Sequence, residues 1–125
     1  SEKVRYVLAL AKGVGVAGAN EPAEVYRDVP EHDWHVPLSQ LVYVGDGASD
    51  MPVFERVGAA GGIAIGVTSS PPAQWDARER LSRERRVENL ARADYAPGSE
   101  LMQSLQFAVE SITRRIALRR LGKGQ

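Results

Sequence analysis

The chain of 125 residues has the length of one ordinary domain, and 43% hydrophobic with 26% charged residues is a balance that supports a packed core. Its 16 basic and 16 acidic side chains cancel, which removes any whole-chain attraction to nucleic acid or to an anionic membrane. With no cysteine there is no disulfide framework, thiolate metal site or cysteine nucleophile, in keeping with a cytoplasmic protein.

A helix is expected first, because Val4, Val7, Leu8 and Ala11 recur at helical spacing. Ser1 is placed to cap it and Lys12-Gly13 to stop it. Residues 15–39 show little periodicity and are punctuated by Pro22, Pro30 and Pro37, so they form a surface excursion or hide a short helix. Leu41-Val42-Tyr43-Val44, ending at Gly45, reads as a buried strand. Asp50 is placed to cap a brief helix over Met51–Arg56, where Pro52 falls in the tolerant first turn. Gly62–Val67 is a second buried strand, with glycines where something approaches closely. The longest nearly uncharged apolar run, Gly58 to Val67, is ten residues, about half of the ~20 a membrane span needs.

Pro71-Pro72 opens a charged helix expected to reach about Leu90, with its arginine-rich part at 78–92 and Trp75 as a packing anchor. Asp94-Tyr95 is then a minimal third strand closed by Pro97-Gly98. Ser99 caps a long last helix with a core face of Leu101, Leu105, Ala108, Val109, Ile112 and Ile116. Helices alternating with strands argue for an α/β domain with a parallel sheet.

The charges are unevenly placed: residues 1–50 hold four basic and eight acidic side chains, residues 51–125 twelve and eight. The acidic half contains Gly45-Asp46-Gly47-Ala48-Ser49-Asp50, which follows a strand and opens a helix. Ligands of open α/β sheets bind beyond the carboxyl ends of the strands. Two carboxylates four residues apart can converge there on a hard cation such as Mg²⁺, with water and substrate phosphate completing its shell. Gly45 and Gly47 leave room for a ligand to approach the backbone. A dinucleotide-binding loop fits less well, since Asp50 stands where GxGxxG needs its last glycine and would repel a pyrophosphate.

The stretch "VYVGDGASDMPVFERVGAAGGIAIGV", residues 42–67, resembles the fourth motif and following strand of the haloacid dehalogenase-like (HAD) phosphohydrolases. "SEKVRYVLALAKG" is similar to that family's third-motif helix, and "ADYAPGSEL" to one bacterial branch of its hydrolases. The resemblance implies half of a Rossmann-like core domain, about three strands flanked by helices, over residues 1–125. It implies Asp46 as a direct Mg²⁺ ligand, Asp50 as holding that site through water or by pairing with lysine, and Lys3 as the catalytic cation that neutralises the phosphoryl group. Lys12 is the competing lysine. The family's Asp-x-Asp-x-(Thr/Val) nucleophile motif is absent from this sequence. The chain therefore looks like the C-terminal, Mg²⁺-binding part of a phosphatase acting through an aspartyl-phosphate, and inactive alone. A non-catalytic binding or regulatory module of the same fold is the alternative. The partners so implied are a phosphorylated small molecule and a missing N-terminal half, or self-association through an open sheet edge.

Two further clusters are weaker. His32-Asp33-Trp34-His35 lacks an evident fourth ligand for zinc and reads as solvated loop. Arg114, Arg115, Arg119, Arg120 and Lys123 read as a solvated cationic helix end.

Overall fold

The computed structural model describes residues 2–15, 18, 20–46, 48–68 and 87–123. They form an α/β domain in which three parallel strands are flanked by helices. In chain order the elements are α1 (Glu2–Lys12), α2 (Pro22–Val25), β1 (Val42–Gly45), α3 (Met51–Ala59), β2 (Ile63–Thr68), β3 (Asn89–Arg92) and α4 (Glu100–Gly122). Short 3₁₀ turns occupy Glu31–Asp33, Leu38–Gln40 and Ala48–Asp50.

The strand order is β1-β2-β3, with Val44 opposite Ile65 and Gly66 opposite Leu90. Because side chains alternate across a strand, each face of the sheet has its own core. Val42, Val44, Ile63, Ile65, Val67 and Ala91 meet Leu101, Leu105 and Ala108 of α4. On the other face Tyr43, Ala64 and Leu90 pack with Met51, Phe54 and Val87. The expected close approaches at Gly62 and Gly66 come from the chain itself; Gly62 lies just before β2 and not in it. A Cβ at Gly62 would collide with the carbonyls of Leu38 and Leu41, and one at Gly66 would lie 2.6 Å from Leu90 Cδ1.

A third cluster joins Leu8, Ala9 and Ala11 of α1 to Val25 and Leu38, with Trp34 packed against it. Helix α1 stops where expected, at Gly13 with φ +79°. The long 15–39 segment does hide a short helix, α2, and it is tied down by polar contacts. Lys12 Nζ donates to the carbonyls of Val25 (2.8 Å) and Arg27 (2.9 Å) and lies 5.1 Å from the Trp34 ring centroid. Trp34 Nε1 donates to Val29 O at 2.8 Å. Burial, reinforced by nearby Arg56, draws the Lys12 ammonium below its ordinary pKa.

Several expectations are corrected. The third strand is Asn89–Arg92 rather than Asp94-Tyr95, so residues 89 and 90 belong to the sheet and not to a helix end. Asp94 makes a turn instead: its carboxylate accepts from Ala96 N and its carbonyl from the Ser99 hydroxyl. Tyr95 is exposed. Strand β1 is half-buried along its length, because among the described residues it lies at the end of the sheet and pairs with β2 alone. Helix α3 runs past Arg56 to Ala59. Ser99 caps α4 as expected, its Oγ accepting from Met102 N at 3.2 Å, but Val109 is exposed. The sheet takes Leu101, Leu105 and Ala108 from that helix, Ile112 is buried one turn further on, and Val109 lies 100° around from Ala108. Ser1, Gly47, Trp75 and the expected helix from Pro71 lie outside the described residues. No helix of the described residues is long and apolar enough to cross a membrane.

Candidate functional site

Strand β1 ends at Gly45, and one 3₁₀ turn later Asp50 opens α3. This brings Asp46 and Asp50 to the carboxyl end of the sheet, where its flanking loops can hold a ligand. Asp50 stands at the helix N-terminus but does not cap it: its φ of −87° and ψ of −13° are helical, and its side chain makes no cap hydrogen bond. The carboxylate turns the other way, toward β1 and α1.

There it is gripped on both oxygens. Lys3 Nζ donates to Oδ1 at 2.8 Å and the Tyr43 hydroxyl donates to the same oxygen at 2.7 Å. The backbone N–H of Asp46 donates to Oδ2 at 2.9 Å. The Asp50 side chain is 3% exposed, whereas that of Lys3 is 47% exposed. The pair therefore presents a cation to solvent and conceals its anion. An ammonium has three donors, so Lys3 keeps N–H groups for another acceptor after serving Asp50. Asp46 is exposed, and its negative charge is the one the site offers outward.

Gly45 is required for this arrangement. A Cβ there would lie 2.5 Å from Asp50 Cγ and 2.7 Å from Oδ2. The close approach foreseen at this glycine is made by Asp50 itself.

Tyr43 is the residue that sequence reasoning passes over, since it reads as one more apolar position in a buried strand. Its ring packs edge-on to Phe54, with centroids 5.9 Å apart. Burial, the hydrogen bond to Asp50 and the charges of Asp50 and Asp46 push its hydroxyl from 10.0 up to about 12. The neutral phenol is thus favoured by the fold. That stabilisation is complete below pH 10 and is lost as pH rises from 10 toward about 12. Urea midpoints should accordingly fall more steeply between pH 9 and pH 11.5 in the wild type than in Tyr43→Phe. Equal falls in the two proteins would contradict the assignment.

The two lysines are separated by the structure: Lys3 pairs with Asp50, while Lys12 holds the 25–27 backbone. His32 and His35 do not join them; His32 Nε2 lies 3.5 Å from Asp33 Oδ1 and all three side chains are exposed. Among the described residues no three His, Cys, Asp or Glu side chains gather at one point. A metal here would therefore rest on one or two carboxylates and on oxygens from elsewhere. No protein-family model, curated protein or solved structure matches the chain.

Proposed function

We propose that the chain carries the Mg²⁺-binding and phosphate-neutralising edge of a HAD-type phosphohydrolase that cleaves phosphate esters of small molecules. One observation carries the reading: Lys3, 47 positions from Asp50 in sequence, places its ammonium 2.8 Å from that carboxylate at the carboxyl end of a parallel sheet. The neighbouring Asp46 leaves its own carboxylate exposed.

The donor set fits Mg²⁺, which is held through one or two carboxylates plus water and substrate phosphate. Asp46 would hold it directly. Asp50, already bound on both oxygens, would support the site by fixing Lys3 and the Asp46 backbone. Bound Mg²⁺ supplies charge neutralisation to phosphoryl oxygens. Lys3 supplies a second cation to the same group, from a position that Asp50 and Tyr43 hold in advance of substrate.

No Asp-x-Asp occurs in the sequence, so the reading takes its aspartate nucleophile from outside residues 1–125. Strand β1 has one edge unpaired among the described residues, in position to receive a further strand. The test is to co-express the chain with a segment bearing an Asp-x-Asp-x-(Thr/Val) strand and to measure hydrolysis of p-nitrophenyl phosphate. The chain alone should be inactive and the pair active with Mg²⁺. In the pair, Asp46→Asn and Lys3→Ala should each lower kcat by about a hundredfold, the scale of losing a main electrostatic stabiliser. Hydrolysis by the chain alone that disappears in Asp46→Asn would contradict the division of labour. An inactive complex that binds Mg²⁺ normally would favour the non-catalytic module.

A further inference from the structure

Helix α4 outruns the sheet it packs on. Its 23 residues extend about 35 Å, while β2, the longest strand, has six residues and extends about 20 Å. The first part of the helix packs on the sheet with Leu101, Leu105 and Ala108, and Ile112 is buried one turn further on. The same stripe, continued at helical spacing, becomes Ile116, Arg119, Arg120 and Lys123.

These four residues line a cleft of about 720 Å³, closed on its other side by the 31–40 segment. Leu118 and Leu121 lie on the opposite side of the helix, 69% and 74% exposed. Over the last turns the cleft side of the helix carries exposed cations and the far side exposed leucines, so the apolar stripe of the first turns does not continue. Cations at a helix C-terminus complement its dipole, but they do so from any side, and the dipole does not account for their clustering on the cleft side. None of the three is within salt-bridge reach of a carboxylate among the described residues.

The floor of the cleft is fixed. Arg115 Nη1 donates to the carbonyls of Ser39 and Gly61, joining α4 to the 31–40 segment. Ser39 lines the cleft, is 6% exposed, and its hydroxyl has no hydrogen-bond partner. Its oxygen is itself closed off from solvent, so the charged groups the cleft offers are those of Arg119, Arg120, Lys123 and Glu31.

We propose that this cleft binds a small organic diphosphate of nucleoside diphosphate size. Three cations within two turns suit two adjoining phosphates better than one. The volume falls within the range of about 300–1,000 Å³ of small-molecule pockets. Pro37 and Ile116 offer an apolar rest for a ring, and Glu31 can accept from hydroxyl or amino groups on the organic body. That same carboxylate, in a chain whose charges cancel, opposes an extended polyanion such as nucleic acid. Gln40 leads into β1, so the cleft lies toward the amino ends of the strands, while Asp46 is at the carboxyl end. The proposal is independent of the phosphohydrolase reading.

The experiment titrates the full ¹⁵N-labelled chain with adenosine diphosphate, pyrophosphate and orthophosphate in about 0.15 M NaCl, following backbone amide shifts. Adenosine diphosphate should saturate at about 1 mM or below, move amides of residues 31–40 and 115–123, and bind more tightly than either inorganic anion. Arg119→Glu and Arg120→Glu, both at exposed positions, should each weaken it by about tenfold or more while the rest of the spectrum stays in place. Shifts confined to residues 45–50, absence of saturation, or unchanged affinity in both variants would overturn the site. Equal affinity for pyrophosphate and adenosine diphosphate would overturn the organic body.

Discussion

Asp50→Ala should remove about 3 kcal/mol of unfolding free energy, although it deletes a single hydrophilic side chain at a helix start. The carboxylate it removes is 3% exposed and accepts from Lys3, Tyr43 and the Asp46 backbone. Lys3 is half in solvent and rehydrates, which keeps the loss below the 3–5 kcal/mol or so of a fully buried ion pair. Tyr43 is half-buried and Asp46 is exposed, so their donors are rehydrated in part, and each forfeits an acceptor worth about 1 kcal/mol. Against the roughly 5–15 kcal/mol that holds a domain together, the change is large, and urea denaturation followed by circular dichroism measures it. Asp50→Asn, which keeps one acceptor oxygen, should lose about half as much. A loss under about 0.5 kcal/mol in Asp50→Ala, the scale of an ordinary surface substitution, would mean that the three-donor grip contributes nothing to folding.

The parts of the fold that were legible are those in which local pattern and tertiary packing agree. Val4, Val7, Leu8 and Ala11 mark α1, and all four are buried or half-buried in one cluster. Ser99 announces α4 and caps it with its own hydroxyl. β3 was missed because Asn89-Leu90-Ala91-Arg92 has only two apolar residues and follows a run of arginines that reads as helix. Its strand character comes from pairing with β2, where Gly66 leaves room for Leu90. The 15–39 stretch is long for a structureless loop, and its described part from residue 20 is held by Lys12 and Trp34 reaching backbone carbonyls up to fifteen residues away. Such contacts leave no periodic trace.

The site divides in the same way. Asp46 and Asp50 are visible from spacing and Lys3 only through the likeness to a known motif, and the structure brings Lys3 to Asp50. Tyr43 was invisible because alternation predicts a side chain's face and not what its hydroxyl will meet. Gly45 was noticed for the wrong neighbour: the group that needs its missing Cβ is Asp50's own carboxylate. Arg115, read as one cation of a solvated end, is the residue that fastens α4 to the Ser39 and Gly61 carbonyls.

A metal at this site would rest on Asp46 and not on Asp50. Both oxygens of Asp50 are committed to donors within the protein, while Asp46 is exposed at the end of β1. One carboxylate with water holds Mg²⁺ weakly, because the ion surrenders its hydration shell reluctantly and gains most from several charged oxygens at once. Titration of the ¹⁵N-labelled chain with MgCl₂ should therefore move the amides of residues 45–50 along a saturable curve, with a dissociation constant of about 1 mM or weaker. The curve should vanish in Asp46→Asn, while Lys3 remains paired with Asp50. Saturable Mg²⁺ shifts at those amides that persist unchanged in Asp46→Asn, or no shifts there in the wild type, would contradict the account.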